Sequence, residues 1–129
     1  MVSTAKTVYT QEAPKPIGPY SQAIVAGNLV FCSGQIALDP VTGELVGRTA
    51  AEQTSRAISN LRAVLTRAGS ELSHVVKVTI YLKNMKDFAE VNEAYAKHFI
   101  EMRPARSAVG VSELPMGALV EIEAVAEVG

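Results

Sequence analysis

Arg106 is the residue whose type and setting point most directly to chemistry. It lies in R-P-A-R-S-A-V (residues 103–109), three residues after Arg103, at the predicted start of a strand. Arg103, before a proline, has the pattern of an ordinary surface charge. Because a guanidinium is costly to desolvate, Arg106 has two candidate roles: a structural ion pair with Glu121 or Glu123, or a planar fork that binds a ligand carboxylate. Spacing alone does not separate them.

Other reactive side chains give weaker signals. Cys32 lies between Phe31 and Ser33 in an apolar segment with no base nearby, which favours a buried structural thiol. His74 and His98 are far apart and have no metal-ligand spacing. The sequence contains no phosphate-binding loop, dinucleotide fingerprint or nucleophile elbow. We therefore expect a site that uses neither a metal nor a cofactor.

Composition narrows the class of protein. The chain has 129 residues, 48% of them hydrophobic, and a formal net charge of −1, which suits one domain spanning residues 1–129. No run of Lys or Arg suggests nucleic acid binding, and no apolar run is long enough for a membrane span. A single cysteine favours a reducing compartment. We expect a cytoplasmic protein without nucleic acid or membrane partners, with a mitochondrial pool left open.

The first third of the chain reads as short strands and turns. Residues 12–20 contain three prolines and a glycine, which predicts a stiff extended loop. A hairpin is predicted around A-G-N at residues 26–28, and D-P-V-T-G at 39–43 is typical of a turn. The predicted strands here are residues 6–10, 23–25 and 29–33.

The rest of the chain alternates helices and strands. A helix is predicted from a capping box formed by Thr49 and Glu52 to a stop at Gly69. Apolar spacing predicts a second helix over residues 87–102. Further strands are predicted at 74–82, 105–111 and 119–128. In the strand at 74–82, Val76, Val78, Ile80 and Leu82 are predicted to face the core, and Val75, Lys77, Thr79 and Tyr81 the opposite side.

This order predicts an α+β fold with one mixed β-sheet and two helices on one face. Alanines in the apolar row of the last strand leave room for those helices. The opposite row of that strand mixes Leu119 and Val125 with Glu121, Glu123 and Glu127. Such mixed faces are often buried against another subunit, so we expect a homo-oligomer.

Seven motifs, in order along nearly the whole chain, resemble the reactive intermediate deaminase family, also called the RidA or YjgF family. They are I-G-P-Y-S-Q-A (17–23), F-C-S-G-Q-I (31–36), D-P-x-T-G (39–43), V-V-K-V-T-I-Y-L (75–82), F-A-E-V-N-x-x-Y (88–95), P-A-R-S (104–107) and L-V-E-I-E-A-V-A (119–126). The resemblance implies a chorismate-mutase-like fold in a homotrimer, with sites between subunits. It also implies hydrolysis of 2-imino acids such as 2-iminobutanoate and 2-iminopropanoate, which pyridoxal-phosphate dehydratases release, to 2-oxo acids and ammonia.

The resemblance also assigns roles to residues. Arg106 matches the anchor for the substrate carboxylate, and Glu121 the acid that positions or activates water. Matches to polar residues of the site are Tyr20, Ser33 and Asn92, while Gly34 and Phe88 match its lining. Ala108 stands where the family often has cysteine, which leaves only backbone groups to serve there.

Plainer interpretations remain open. Tyr20 could pin its loop, Ser33 could cap a turn, and Asn92 could be a surface amide at a subunit contact. For the whole protein, the alternatives are a non-catalytic protein that binds small carboxylates or regulatory partners, and an endoribonuclease or translation inhibitor. The balanced charge and absence of paired histidines disfavour the endoribonuclease.

Overall fold

The computed structural model describes residues 4–129, and its element order confirms the predicted one. These residues form six strands, two α-helices and three short 3-10 helices. The strands are β1 (Lys6–Val8), β2 (Ala23–Ala26), β3 (Leu29–Gln35), β4 (Val75–Leu82), β5 (Ala105–Gly110) and β6 (Val120–Glu127), and the helices are α1 (Ala50–Arg67) and α2 (Phe88–Ala96). No described helix is long and apolar enough to cross a membrane.

All six strands form one mixed sheet in the order β1-β2-β3-β6-β4-β5. Only β4 and β5 pair in parallel, and the other neighbours are antiparallel. Alternate residues of β6 belong to one buried cluster with the apolar residues of both helices. Both helices therefore cover the same face, the helix face, as predicted. The other side is here called the open face.

Local signals in the sequence explain how α1 begins and ends. The Thr49 side chain accepts a hydrogen bond from the Glu52 N–H, and the Glu52 carboxylate accepts one from the Thr49 N–H. This is the predicted capping box, which satisfies two N–H groups left free at a helix start. Gly69, just after the helix, has φ +83°, a conformation that glycine adopts without strain.

Helix α2 is shorter than predicted, because it ends at Ala96 rather than near residue 102. The Lys97 and His98 N–H groups donate to carbonyls three residues back, those of Ala94 and Tyr95, which is the tighter bonding of a last helical turn. Phe99 is nevertheless buried, and its ring stacks on Tyr95 with 4.4 Å between centroids. Apolar spacing therefore predicted which side chains pack together but not where the helical backbone stops.

The start of β4 also corrects the prediction, because Val75 is buried in the core and Val76 is 39% exposed. Val75 pairs with Ala126 and Lys77 with Val125, which leaves Val76 as an extra residue. A β-bulge of this kind reverses the facing of residues before it. From Lys77 onward the predicted alternation holds, with Val78, Ile80 and Leu82 buried.

The two predicted turns are confirmed. β2 and β3 form a hairpin around Gly27, whose φ is +62°, and Asn28. In the turn at 39–43, the Asp39 carboxylate accepts hydrogen bonds from the Val41 and Thr42 N–H groups. β3 runs to Gln35, two residues beyond the prediction, and carries S-G-Q as strand rather than turn.

Candidate active site

Arg106 points toward helix α2. Its position in β5 pairs with Val78, a fully buried residue of the helix face. Paired residues of parallel strands project to the same side of a sheet. Accordingly, the Arg106 Cζ lies 4.9 Å from the ring centroid of Tyr95 and 5.7 Å from that of Phe88, both on α2. The guanidinium is thus held by aromatic rings.

Arg106 makes no hydrogen bond or ion pair with any residue in the described range 4–129. The ion pair with Glu121 or Glu123, one of the two roles that the sequence left open, is therefore not formed within the chain. Aromatic rings attract the charge of a guanidinium that lies over their faces. They do not provide hydrogen-bond acceptors for the N–H groups in the plane of the guanidinium. Among the described residues, nothing occupies its five donors, which are therefore available to another group.

A cavity of about 260 Å³ lies beside Arg106, between α2 and the start of β5. Its walls also contain two buried polar atoms without a hydrogen-bond partner, the Asn92 Oδ1 and the Tyr95 hydroxyl. Burial raises the pKa of Tyr95 to about 12, although the charge of Arg106 acts in the opposite direction. Since an unpaired buried polar group costs about 1–3 kcal/mol, this wall is built at a cost in stability.

Glu121 occupies the open face. It lies between Val120 and Ile122, which are buried on the helix face, and its partner in β4 is Tyr81. Burial raises the pKa of the Glu121 carboxyl, and the neighbouring charge of Glu123 raises it further. Glu123 in turn accepts a 2.8 Å hydrogen bond from the Tyr81 hydroxyl. Glu121 therefore binds a proton more readily than an ordinary glutamate.

Gly34 makes room for the Glu121 side chain. A Cβ at position 34 would lie 2.8 Å from the Glu121 Cδ and still closer to its Oε2. Both residues, with Tyr20, line a small cavity of about 40 Å³. A water molecule needs at least about 10–15 Å³, so this cavity has room for one next to the carboxylate.

Tyr20 and Ser33 both have structural contacts. Tyr20 is 48% exposed, and its hydroxyl accepts a 3.2 Å hydrogen bond from the Ile17 N–H, so it pins the proline-rich loop while lining the Glu121 cavity. The Ser33 hydroxyl donates to the Ser21 carbonyl at 2.6 Å. Ser33 lines neither the Glu121 cavity nor the Arg106 cavity.

Apart from Ser33, the candidate residues fall into two groups. The open-face group is Tyr20, Gly34 and Glu121, around the 40 Å³ cavity. The helix-face group is Phe88, Asn92 and Arg106, together with Ala108, whose side chain packs against the core two residues beyond Arg106. One chain does not bring the two groups together.

Two functional-site features escaped the sequence interpretation. Arg103 lines the cavity of Arg106, and its i, i+3 spacing to Arg106 was the available signal. Gln22 is buried and clasps the proline-rich loop: its Oε1 accepts from the Thr10 N–H at 2.7 Å, and its Nε2 donates to the Thr10 and Pro14 carbonyls at 3.0 Å. Hydrophobic periodicity gives no signal for such a buried amide, because its hydrogen bonds depend on the path of the loop.

Cys32 is buried and His98 is partly buried. Cys32 is 6% exposed, and burial raises the pKa of its thiol to about 12, so the reactive thiolate is scarce at neutral pH. His98 is partly buried beside the Ser55 hydroxyl at 3.3 Å. Within residues 4–129, no group of three or more His, Cys, Asp or Glu side chains has the arrangement of a metal site.

Comparison with known proteins gives concordant matches. The family model described as endoribonuclease L-PSP matches residues 10–128. A RutC family protein of Pyrococcus abyssi is 54% identical over 121 residues, covering 94% of this chain and 95% of the relative. The crystal structure of the E. coli YjgF gene product superposes with a TM-score of 0.90 at 41% identity, covering 95% and 98% of the two chains. That of E. coli TdcF with bound serine has a TM-score of 0.91 at 38% identity, covering 96% and 99%.

Proposed function

The chain belongs to the endoribonuclease L-PSP family, which includes the YjgF and RidA proteins, and on that premise we propose that it hydrolyses 2-imino acids to 2-oxo acids and ammonia. The expected substrates are small imines such as 2-iminobutanoate and 2-iminopropanoate, released by pyridoxal-phosphate dehydratases. The reaction needs no cofactor from the protein, because the imine carbon is already electrophilic.

The observation that carries the proposal is the state of Arg106. Its guanidinium is held by two aromatic rings, lines a cavity, and has no hydrogen bond or ion pair in the described chain. A structural arginine would use its donors on the protein. A free planar fork instead suits a carboxylate, where each charge-assisted hydrogen bond contributes about 1.5–3 kcal/mol.

The proposed reaction assigns Glu121 to the attacking water. The water oxygen adds to the imine carbon while its proton passes to the Glu121 carboxylate. Glu121 returns this proton to the nitrogen, which becomes an amino group on a carbon that also carries the new hydroxyl. The carboxylate then takes the hydroxyl proton and passes it to the nitrogen, so the carbon–nitrogen bond breaks, ammonia leaves and the carbon–oxygen double bond forms. A raised pKa suits this role, because a general base works best when its pKa approaches the working pH.

The substrate needs both groups of residues, and we propose that they meet between two copies of the chain. The helix-face group of one protomer would hold the carboxylate, and the open-face group of the next would supply Glu121 and Tyr20. The mixed polar and apolar composition of the open face suits burial against another subunit. A homotrimer is the assembly implied by the family.

The serine held by the TdcF structure supports a small amino-acid-like ligand, since serine carries a carboxylate and an amino group on one carbon. The same arginine could also serve a protein that binds 2-oxo acids without turning imines over, as a sensor or regulator would. Binding alone therefore does not decide the function.

A coupled assay separates catalysis from binding. An amino-acid oxidase acting on 2-aminobutanoate generates 2-iminobutanoate, and semicarbazide traps whatever imine survives. The wild-type protein is expected to lower the trapped imine, and Arg106→Gln to lose at least ~10-fold of that activity. Binding of 2-oxobutanoate without any effect on trapping would identify a non-catalytic binding protein. Ribonuclease activity that survives stringent purification but disappears in Arg106→Ala would favour an RNA substrate instead.

A further inference from the structure

Arg103 is a second cation in the wall of the Arg106 cavity. The sequence suggested an ordinary surface charge, and the residue is indeed exposed, but its side chain lines the same cavity of about 260 Å³. Like Arg106, it makes no hydrogen bond or ion pair with any residue between 4 and 129. The described residues that line the cavity include no carboxylate. Two positive charges without an ion-pair partner among residues 4–129 therefore share one cavity.

A ligand with a single carboxylate would neutralise only one of these charges. Two like charges that share a cavity repel each other, and the repulsion grows where water is partly excluded. A ligand with two anionic groups would neutralise both guanidinium groups. The cavity thus favours dianions over monoanions of the same size.

The spacing of the two arginines fits a short dicarboxylate. Pro104 fixes its own backbone φ and favours extended backbone for Arg103, so the Cα atoms of Arg103 and Arg106 lie roughly 10 Å apart at about 3.3 Å per residue. Arg106 is anchored against the rings of α2, whereas Arg103 is at the exposed rim. The Arg106 guanidinium is therefore available in the interior of the cavity, and the Arg103 guanidinium at its entrance.

We propose that Arg103 is a specificity-determining residue that binds the side-chain carboxylate of acidic 2-imino acids. The site would then take four- and five-carbon 2-imino dicarboxylic acids in preference to 2-imino monocarboxylic acids of equal length. This inference rests on the proposed function, since it assigns the first carboxylate to Arg106.

The test compares two stable product analogues with five carbons each, 2-oxoglutarate and 2-oxopentanoate, by titration calorimetry on the assembled protein. They differ in one terminal carboxylate. The wild type is expected to bind 2-oxoglutarate ~10-fold more tightly, and Arg103→Gln to abolish that preference while leaving 2-oxopentanoate within ~2-fold. Arg103→Lys should keep part of the preference, because the charge remains but the planar fork is lost.

Arg48→Gln is the matched control, because it removes one exposed positive charge away from the cavity. The preference should survive in it. If 2-oxoglutarate binds no more tightly than 2-oxopentanoate, or if its advantage persists in Arg103→Gln, the assignment of Arg103 is wrong while carboxylate binding at Arg106 stands. If neither compound binds, or Arg106→Gln binds both as the wild type does, the proposed function itself fails. Equal weakening of both compounds in Arg103→Gln would mean general electrostatic attraction, which also contradicts the proposal.

Discussion

Arg106 and Glu121 lie on opposite faces of the same sheet. Their partners in β4 are Val78, which points toward the helices, and Tyr81, which points away. Arg106 and Glu121 are separated by two strand spacings across the sheet and by three residues along the strand direction. Their Cα atoms are therefore roughly 14 Å apart. A small imino acid cannot contact both side chains in one protomer. This relationship is the reason for placing the proposed site between two copies.

Arg106→Lys should separate anchoring from structure. Lysine keeps the positive charge but loses the planar fork and its stacking on Tyr95 and Phe88, so imine hydrolysis should fall at least ~10-fold. Because Arg106 makes no ion pair within the described chain, the melting temperature should change by only a few degrees, as for a change of about 1 kcal/mol or less. Activity and thermal unfolding are to be measured on one preparation. Near-native turnover in a folded, assembled variant would contradict the anchoring role.

The activity should have an acidic limit set by Glu121. The base must be ionised to take a proton from water, and its pKa lies above the ordinary value of 4.5 because of burial and Glu123. Turnover should therefore decline as pH falls through this raised pKa, at a pH above 4.5. Glu123→Gln removes the neighbouring charge and should move the limit to lower pH, which a pH profile of kcat measures. An unchanged profile in Glu123→Gln would argue against Glu121 as the base.

The same shift has a consequence for stability. Because the folded-state pKa of Glu121 is raised, its protonated form stabilises the fold fully below about pH 4.5, and this contribution is lost as pH rises through the raised pKa. Glu121→Gln should therefore raise the melting temperature at neutral pH, with no gain below pH 4.5, while imine hydrolysis drops. Thermal unfolding at both pH values tests this. A variant less stable at neutral pH would show that the carboxylate is instead a structural partner.

Gly34→Ala should reduce turnover without unfolding the protein. The added methyl group would collide with the Glu121 carboxylate, which must move because it is the flexible end of a side chain. We expect a loss of ~10-fold or more in kcat, consistent with the sensitivity of positioned bases. Gly18→Ala is the control, since its methyl group meets only the Tyr20 ring at 3.5 Å, an ordinary contact. Equal activity of both variants would show that the position of Glu121 is unimportant.

The sequence predicted the elements well where the signal is local. The capping box of α1, the Gly27 hairpin and the turn at Asp39 all depend on neighbouring residues. The failures have longer-range causes. The bulge at Val76 depends on its pairing with β6, and the end of α2 depends on a turn that still keeps Phe99 in the core.

The candidate site was predictable by residue but not by arrangement. The resemblance selected Arg106 and Glu121, and the alternation of β6 already placed Glu121 away from the core. The face of Arg106 could not be deduced, because it depends on the register of β5 against β4, which no residue of β5 reveals alone. Arg103 was missed because it precedes β5, and its place in the cavity depends on how α2 packs against the start of that strand.

Ala108→Cys should leave turnover within a few-fold, because only backbone groups at this position are expected to serve the site. Cys32 gives an internal control: it is buried with a pKa of about 12, so iodoacetamide should leave the wild-type protein unmodified and active. Mass spectrometry measures the modification of Cys32, and the imine assay measures turnover. A large gain in the Ala108→Cys variant would mean that a thiol contributes to the chemistry of this site.

The most direct test of the shared site is complementation between two inactive variants. Arg106→Gln and Glu121→Gln chains are mixed in equal amounts, unfolded and refolded together, and assayed for hydrolysis of 2-iminobutanoate. If each site takes Arg106 from one copy and Glu121 from the next, random assembly restores about a quarter of the sites with both residues intact. We therefore expect about a quarter of the activity of wild-type protein refolded in the same way. Mixed assemblies that form but stay as inactive as either variant alone would contradict a site built from two copies.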